Sequence, residues 1–290
     1  MIAITGATGF IGQRLLQMLV ESSAAALRID LRAVERGALD AVLRDNAVNC
    51  LVHFASPAPS ADPAAQDDIE QMVVDLAEGV AAAAADSGTH VILASTIRVH
   101  PLDSGRFSAA TPVAPFDGYG RGKARVEKLV ADLVGAGGGC TILRISSVQG
   151  IDSSGRARGL LGLFGRQAAA GRLTVMGNGG SIKDLIHVDD VALAVMAAVD
   201  SAATGVRTIH IGSGEGCTVI DVVQQCKAEV ERRGRTLRIE HIGADPNDLA
   251  GVVDVSDAWR VLGWRPRVGI EEMISEALDC CLPNGLEGES

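Results

Sequence analysis

The sequence predicts an α/β fold in which helices cover both faces of a parallel sheet. The first observation is that short apolar segments alternate with longer segments of helical periodicity from the N-terminus to Ile145. The second is a glycine-rich turn between the first predicted strand, residues 1–5, and the first predicted helix, residues 11–21. Together they indicate a Rossmann-type, doubly wound parallel sheet, followed by a small C-terminal lobe that we expect to bind the substrate.

The turn after the first strand has the spacing Gly-x-x-Gly-x-x-Gly. Its first glycines let the backbone turn tightly and approach a pyrophosphate without a Cβ atom, and the third lets the helix pack close to the strand. The free amides at the start of that helix, with its positive dipole end, would then bind the diphosphate. The sequence therefore predicts cofactor contacts at Gly6, Thr8, Gly9, Phe10, Ile11 and Gly12.

The rest of the first half continues the alternation. Further strands are predicted at residues 27–31, 50–54, 90–95 and 141–145. Further helices are predicted at residues 38–44, 67–85 and 116–134, and the second of these is rich in alanine. Since each strand is followed by a helix, the strands should be parallel.

Beyond Gly150 the pattern loosens. Helices are predicted near residues 160–170, 189–199, 219–232 and 270–282, strands near residues 173–176, 184–187 and 208–211, and a polar tail at the end. We expect residues 1–150 to form the cofactor-binding domain. Residues 151–290 should form a mixed region that supplies late sheet strands and the substrate lobe, with residues 178–206 returning to the first domain.

Composition restricts the class of protein. The 290 residues are 47% hydrophobic and carry a formal net charge of −10, which argues against a nucleic-acid partner because phosphate-binding proteins carry basic faces. No apolar run is long enough to span a bilayer, and the chain enters a strand at once, so neither membrane insertion nor a signal peptide is expected. The six cysteines lack metal-ligand spacing, which favours reduced thiols, no metal site and a cytoplasmic location.

Tyr119 is the only tyrosine in the chain, and it precedes Lys123 by four positions in a predicted helix. This spacing places both side chains on one helix face. A phenol titrates near pH ~10 in water, and it becomes a base near neutrality only when cations stabilise its phenolate. The pair therefore indicates acid–base chemistry, although an amphipathic surface pair would have the same spacing.

Several further stretches follow one another in an order typical of a known family. They are Thr5 to Gly12, His53 to Ser56, Ala94 to Thr96, Tyr119 to Lys123, Leu143-Arg144, residues 183–191 and residues 262–266. With these stretches the chain resembles an extended short-chain dehydrogenase/reductase of the NAD-dependent epimerase/dehydratase family, whose members mostly act on nucleotide sugars. Because one fold hosts many reactions, the reaction has to be argued from the site.

The resemblance implies roles for three residues near the reacting carbon. Tyr119 would exchange a proton with a substrate hydroxyl or ketone while the nicotinamide exchanges a hydride with the same carbon, and Lys123 would hold the nicotinamide ribose and the phenolate. Thr96 would bind the reacting oxygen. The alternative is that its hydroxyl, at the end of a strand, bonds only to the local backbone. His53 is expected to pack beneath the sheet.

The resemblance also implies cofactor contacts away from the glycine turn. Besides Tyr119 and Lys123, these are Phe54, Ala55, Ser56, Ala94, Asp30, Leu31 and Arg32.

The adenosine end leaves NAD and NADP both open. Asp30 stands eighteen positions after Gly12, where an acidic residue would bind the adenosine ribose and favour NAD. The sequence Asp30-Leu31-Arg32 also resembles a later family motif that contacts adenine. In that case the ribose-reading strand is deleted, and Arg28 or Arg32 could meet the 2′-phosphate of NADP.

Departures from the family pattern narrow the reaction. Dehydratases of the family carry an Asp-Glu pair directly after the catalytic threonine, and decarboxylases of nucleotide-linked uronic acids use a Glu there. Here those positions are Ile97 and Arg98. The reactions that remain need one tyrosine-driven redox step: reduction of a nucleotide-linked 4-keto sugar, or 4-epimerisation. The alternatives are a reductase of a non-nucleotide carbonyl and a catalytically idle, cofactor-binding regulatory protein.

Substrate contacts are expected at Thr96, Ile97, Arg98, Ser147 and Lys183. Epimerases of the family usually hold the nucleotide diphosphate with an Asn and two arginines, and the matching positions here are Ser147, Lys183 and, by an uncertain alignment, Ile242. A lysine is a point charge where arginine grips phosphate at two places, so a non-nucleotide substrate stays open.

The resemblance further implies a homodimer. The alanine-rich helix and the Tyr119 helix would pair with the same helices of a second subunit as a four-helix interface. The alternative is that both helices are buried against the sheet of one chain.

Overall fold

A computed structural model describes residues 1–35, 37–60, 62–134, 138–244 and 250–282. The polar tail predicted at the end of the chain lies outside the described residues. The strands, in chain order, are β1 (Ile2–Thr5), β2 (Ala26–Ile29), β3 (Cys50–His53), β4 (His90–Thr96), β5 (Asp103–Phe107), β6 (Gly139–Ile145), β7 (Ser147–Ile151), β8 (Ala157–Arg158), β9 (Arg172–Met176), β10 (Ile182–His187), β11 (Gly205–Ile211), β12 (Gly216–Thr218), β13 (Arg238–Ile242) and β14 (Ala250–Val253).

The helices complete the architecture. They are α1 (Phe10–Glu21), α2 (Leu39–Asp45), α3 (Gln66–Ser87), α4 (Gly118–Val134), α5 (Gly159–Ala169), α6 (Val188–Asp200), α7 (Val219–Arg232), α8 (Ser256–Leu262) and α9 (Ile270–Cys281). Short 3-10 turns precede α3 and follow β4, at Pro63–Ala65 and Ile97–Val99. Within the described segments, no helix is both long and apolar enough to cross a membrane.

The central sheet confirms the predicted fold class. In the described part of the chain its strand order is β2-β1-β3-β4-β6-β11, and each neighbouring pair is parallel. Every residue of β3, β4 and β6 is buried, as expected for strands covered on both faces. The sequence runs of these strands are accordingly almost continuously apolar.

Helices pack on both faces of this sheet. On one face α2, α3 and α4 enclose a core that includes Leu43, Val73 and Val130. On the other face α1, α6 and α8 enclose a second core that includes Leu15, Val195 and Ala258. The strand β11, from the second half of the chain, completes the sheet beside β6 over residues 205–211.

The strand order reverses direction at β1, which lies between β2 and β3. In open parallel sheets, ligands bind at the carboxyl ends of the strands where the order reverses. Here that crevice lies between the glycine turn after Thr5 and the segment after His53. In the described residues β2 is the one strand between α1 and α2, as predicted for residues 27–31. It is an edge strand of the central sheet.

A third core lies in the lobe. Helices α5, α7 and α9 pack with β9 and β10 around Leu161, Phe164 and Leu173. A mixed four-strand sheet, β12-β10-β7-β8, joins this lobe to the main body, since β10 leads directly into α6.

The predicted elements exist, but several boundaries and strands differ. Asp30 and Leu31 were expected in the second strand, whereas β2 ends at Ile29 and Leu31 begins a turn. The prediction also missed β5, β7, β8, β12, β13, β14 and α8. These elements are short, and five of the six strands pair with segments distant in sequence, so they have weak local signals.

Helices α3 and α4 pack on each other within one chain. A Cβ atom added to Gly118 would collide with the carbonyl of Gln66, and one added to Gly122 would lie 2.9 Å from the carbonyl of Glu70. Glycines at these positions therefore permit the close approach of α3 and α4 within one chain. The outer faces of both helices stay exposed, for example at Met72 and Leu133.

Candidate active site

The glycine turn fits a dinucleotide. Gly6 has φ +68°, and a Cβ atom there would lie 2.6 Å from the backbone nitrogen of Ala55. A Cβ atom on Gly12 would collide with the carbonyl of Gly6. Without side chains at these positions, β1 turns tightly into α1, whose first amides lack intrahelical partners. No side chain caps α1 at Gly9, so its N-terminus can receive a diphosphate.

Thr8, Phe10 and Ile11 lie at the open side of this turn. Thr8 is exposed, while Phe10 and Ile11 are half-buried at the start of α1. They are therefore accessible from the crevice, as residues that contact a cofactor must be.

The segment after β3 forms the opposite wall of the crevice. The amide of Phe54 donates to the carbonyl of Thr5 at 3.2 Å, which fixes this segment beside the glycine turn. Ser56 Oγ is buried with no hydrogen-bond partner, yet it lies close enough to Tyr119 to lower the pKa of that phenol. The Ser56 hydroxyl can therefore bond to the Tyr119 phenol or to a polar group of a bound ligand.

His53, just before this segment, lies inside the sheet. Its Nδ1 is 2.7 Å from the hydroxyl of Thr5, and burial lowers the pKa of its imidazole to about 3, with a further contribution from the charge of Lys123. It therefore stays neutral and does not reach the crevice.

The adenosine-side residues lie in the turn after β2. Asp30 Oδ1 accepts from the backbone and the side chain of Arg32, at 3.1 and 3.2 Å, and these contacts hold the pKa of Asp30 below its ordinary value. Both side chains are exposed. The turn therefore lies at the carboxyl end of the edge strand β2. Asp30, Leu31 and Arg32, the predicted adenosine contacts, would be available to a cofactor there.

Tyr119, Lys123 and Thr96 come together at the carboxyl end of β4. Lys123 is buried; its Nζ donates to the carbonyl of Ala94 at 2.9 Å and lies 5.7 Å from the centroid of the Tyr119 ring. Burial lowers the pKa of Lys123 to about 8, and the charge of Glu127 opposes that shift. Thr96 Oγ1 accepts from the amide of Arg98 at 3.2 Å, which leaves its hydrogen free to donate to a substrate oxygen.

Four effects determine the pKa of the Tyr119 phenol. Burial raises its pKa most strongly, since a phenolate is poorly solvated there. The nearby Ser56 hydroxyl and the charge of Arg98 lower the pKa, and the charge of Asp117 raises it. We expected Lys123 to be the cation that favours the phenolate; the cation whose charge lowers the pKa of Tyr119 is instead Arg98.

A buried ion pair joins β6 to α4, the helix that carries Tyr119 and Lys123. Arg144 donates through Nε and Nη2 to Glu127, at 3.1 and 2.7 Å, and Ser95 donates to the same carboxylate at 2.5 Å. The pair is almost fully buried, with side-chain exposures of 10% and 8%. Glu127 stands one helical turn after Lys123, so the network fixes the helix that carries both Tyr119 and Lys123.

The substrate side is a cavity of about 360 Å³. It is lined by Pro59, Thr96, Ile97, Arg98, Phe107, Tyr119, Ser146, Ser147, Leu160, Ile182, Lys183, Asp184 and Gly251. All five predicted substrate residues lie in this lining. Ile242 does not; it lies on β13, where it pairs with Met176 and is exposed.

Sequence reasoning missed much of this lining. Asp184 is buried and accepts from Ser146, Ser213 and the amide of Val253, so it joins three segments at the cavity floor. Asp117 directly precedes α4 and accepts from the amide of Gly120 at 2.7 Å, which is the N-cap position. A capping signal could have identified Asp117, whereas Phe107 and Gly251 enter through the distant pairing of β5 with β14.

No group of three or more His, Cys, Asp or Glu side chains in the described ranges could hold a metal ion. All six cysteines lie in described segments, and none forms a disulfide. The site therefore consists of a cofactor crevice, a tyrosine with its lysine and threonine, and a polar cavity.

Comparison with known proteins gives a consistent picture. The model of the family described as "NAD dependent epimerase/dehydratase family" matches residues 2–212. The UDP-glucose 4-epimerase of Bacillus subtilis is 24% identical and the alignment covers 95% of both chains. The UDP-glucose 4-epimerase of Azospirillum brasilense is 27% identical, over 92% of this chain and 87% of the other.

Among solved structures, MoeE5 in complex with UDP-glucuronic acid and NAD superimposes with a TM-score of 0.82 at 23% identity. The superposition covers 96% of this chain and 98% of that one. At this identity the likeness establishes the fold.

Proposed function

Since the chain belongs to the NAD-dependent epimerase/dehydratase family, we propose that it is an NAD-dependent enzyme that epimerises a nucleotide sugar at C4. The observation that carries the proposal is the shared cavity of Thr96 and Tyr119, in which Ile97 and Arg98 stand where dehydratases need an acid pair. The relatives that align over nearly the whole chain are UDP-glucose 4-epimerases, which supports the same reaction class here.

The residues supply proton transfer and orientation. Tyr119, as the phenolate, takes the proton of the C4 hydroxyl, and Thr96 donates to the same oxygen as its charge develops. A bound NAD would supply the hydride acceptor and donor for C4, and the return of the hydride to the other face of the ring would invert that carbon. Tyr119 then returns the proton, so no net oxidation occurs.

Other residues would hold the ligands. Gly6, Gly9 and Gly12 would leave room for the diphosphate of NAD at the start of α1, and Ser56 would donate to the nicotinamide end. Lys123 would hold the ribose, since its ammonium lies between Ala94 and the Tyr119 ring. Ser147 and Lys183, which line the same cavity, would contact the diphosphate of the sugar nucleotide.

The assembly is proposed to be a cytoplasmic homodimer. The outer face of α4 carries Arg125 and Lys128, and the outer face of α3 carries Asp75 and Glu78, so two copies in antiparallel arrangement would place opposite charges together. Exposed Met72 and Leu133 would supply apolar contact. Light scattering at several protein concentrations tests this, and a monomer under all of them would contradict it.

The reaction is tested by incubating the purified protein with NAD and UDP-glucose or UDP-glucuronic acid, and by following the C4 epimer by NMR. Appearance of the epimer with no net change in NADH absorbance supports epimerisation. Steady consumption of NADH or NADPH with a nucleotide 4-keto sugar supports the reductase instead, and tight NAD binding without turnover of any sugar supports an idle protein.

Tyr119→Phe is the matched control for this assay. It removes only the phenolic oxygen, so turnover should fall by roughly 10²–10⁴-fold while NAD affinity stays nearly unchanged. Retained turnover would remove Tyr119 from the mechanism.

A further inference from the structure

Arg98 lies in the substrate cavity, two residues after Thr96, and it is held in place from two sides. Its Nε donates to Asp117 at 2.8 Å, and its Nη2 is still closer to the same carboxylate oxygen. Its guanidinium lies over the Phe116 ring, 4.8 Å from the centroid. The side-chain exposures are 28% for Arg98 and 11% for Asp117, so water screens the pair only in part.

The same pair is joined to the start of α4. The other oxygen of Asp117 accepts from the amide of Gly120, the residue after Tyr119. A Cβ atom on Gly120 would collide with the carbonyl of Arg98, so the backbone after β4 lies directly against this helical turn. Arg98, Asp117 and Tyr119 are therefore held in one rigid unit.

Other charged groups near Tyr119 are already occupied. Lys123 donates to the carbonyl of Ala94, and its ammonium is 5.7 Å from the ring centroid. Asp184 accepts from Ser146 and from the backbone of β14, and Lys183 is the other charged residue that lines the cavity. Within the described segments, Arg98 and Asp117 thus face Tyr119 from the turn after β4 and from the cap of α4.

We propose that Arg98 and Asp117 are positioning residues that act on Tyr119 as an opposed pair, with Arg98 favouring the phenolate and Asp117 the phenol. The physical basis is that a cation stabilises a neighbouring phenolate and an anion destabilises it, and that both groups are fixed next to a half-buried ring. In agreement, the charge of Arg98 lowers the pKa of Tyr119 and the charge of Asp117 raises it. The proposal rests on the proposed function in so far as Tyr119 is the acid–base group.

The chain offers a direct readout, because Tyr119 is its only tyrosine. The ultraviolet band of tyrosinate therefore reports this one phenol, without an activity assay. The protein as purified is moved from neutral to alkaline pH by stopped-flow mixing, and the absorbance is read before unfolding. Tyr119→Phe should abolish the band, and circular dichroism at the same time points checks the fold.

The variants are predicted to move the titration midpoint in opposite directions. Arg98→Met should shift it to higher pH, and Asp117→Asn to lower pH, since asparagine keeps the cap of α4 but not the charge. Arg98→Lys should restore most of the wild-type midpoint. Arg125→Met, which removes an exposed arginine of α4 that pairs with Glu70 of α3, should leave the midpoint unchanged.

A purely structural role gives a different result. If the pair only held the helix, either substitution would loosen the turn, admit water to Tyr119 and lower the midpoint in both variants. Parallel shifts, or no shift in either variant, would overturn the proposal.

The two proposals can fail separately. Opposite midpoint shifts without turnover of any nucleotide sugar would leave the electrostatic role in place and remove the proposed function. Epimerisation with no opposite shifts would do the reverse. Where turnover is measurable, the pH limb of kcat/KM that reports Tyr119 should move in the same directions as the absorbance.

Discussion

Arg144 and Glu127 form a buried, two-bond ion pair directly behind Lys123, at 2.7 and 3.1 Å. The contact crosses from β6 to α4, and Ser95 of β4 completes it. It therefore joins the sheet to the helix that carries Tyr119 and Lys123. It also places a carboxylate near Lys123, where its charge raises the pKa that burial lowers.

Glu127→Gln should be strongly destabilising. It leaves the guanidinium of Arg144 buried without a compensating charge, which costs about 3–5 kcal/mol in the free energy of unfolding. Urea denaturation measures this loss. Asp132→Asn, which breaks the exposed pair with Lys128, is the control and should cost less than about 1 kcal/mol. Equal losses in both variants would contradict the buried pair's role.

Two buried histidines should make the protein sensitive to acid. Burial lowers the pKa of His53 and of His210 to about 3, while both titrate near ~6.5 in the unfolded chain. Between these values the unfolded chain binds protons that the folded chain does not, so stability is complete above pH ~6.5 and falls as pH decreases. At pH ~5 each histidine should cost roughly 2 kcal/mol.

The melting temperature between pH ~7 and pH ~5 measures this effect. His210→Gln should reduce its pH dependence, whereas His241→Gln, at an exposed histidine, should not. An unchanged slope in the His210 variant would show that acid acts elsewhere.

Gly12→Ala should disrupt the cofactor crevice. The new Cβ atom would collide with the carbonyl of Gly6, so the turn must open and NAD affinity should fall by at least about tenfold, or about 1.4 kcal/mol. Calorimetric titration with NAD measures the loss. Gly79→Ala is the matched control, since a Cβ atom there would have no neighbour within 4 Å and α3 should gain about 0.5–1 kcal/mol. Unchanged NAD affinity in the Gly12 variant would contradict the assigned crevice.

Features formed by residues that are close together in the sequence could be predicted, and features formed by distant segments could not. The strand, turn and helix around Gly6 to Gly12, and the pair of Tyr119 with Lys123, have signals within a few residues. The structure forms the turn between β1 and α1, and it places Lys123 beside the Tyr119 ring. The walls of the cavity are different. Phe107 and Gly251 meet because β5 pairs with β14 across more than half of the chain, and no local pattern specifies that pairing.

The charges that act on Tyr119 also could not be predicted from local sequence patterns. The spacing of Tyr119 and Lys123 identified a cation beside the phenol, but Arg98 reaches the same ring only because its turn packs against the first turn of α4. In the sequence, Arg98 stands where dehydratases and decarboxylases of the family carry an acid, and it served only as an argument against those two reactions. In three dimensions it is a charge held next to Tyr119 by Asp117.

Thr96→Val should show whether the threonine hydroxyl acts on the substrate oxygen or only on the backbone turn. Oγ1 accepts from the amide of Arg98, and its hydrogen is available to the substrate oxygen, so valine removes both interactions while serine keeps both. If the hydroxyl stabilises the developing charge on that oxygen, kcat for the Val variant should fall by about 10²-fold with little change in KM, and Thr96→Ser should retain most of the activity. Epimerisation kinetics with the purified variants measure this. A Val variant that loses thermal stability but keeps its kcat would instead assign Thr96 to the backbone turn alone.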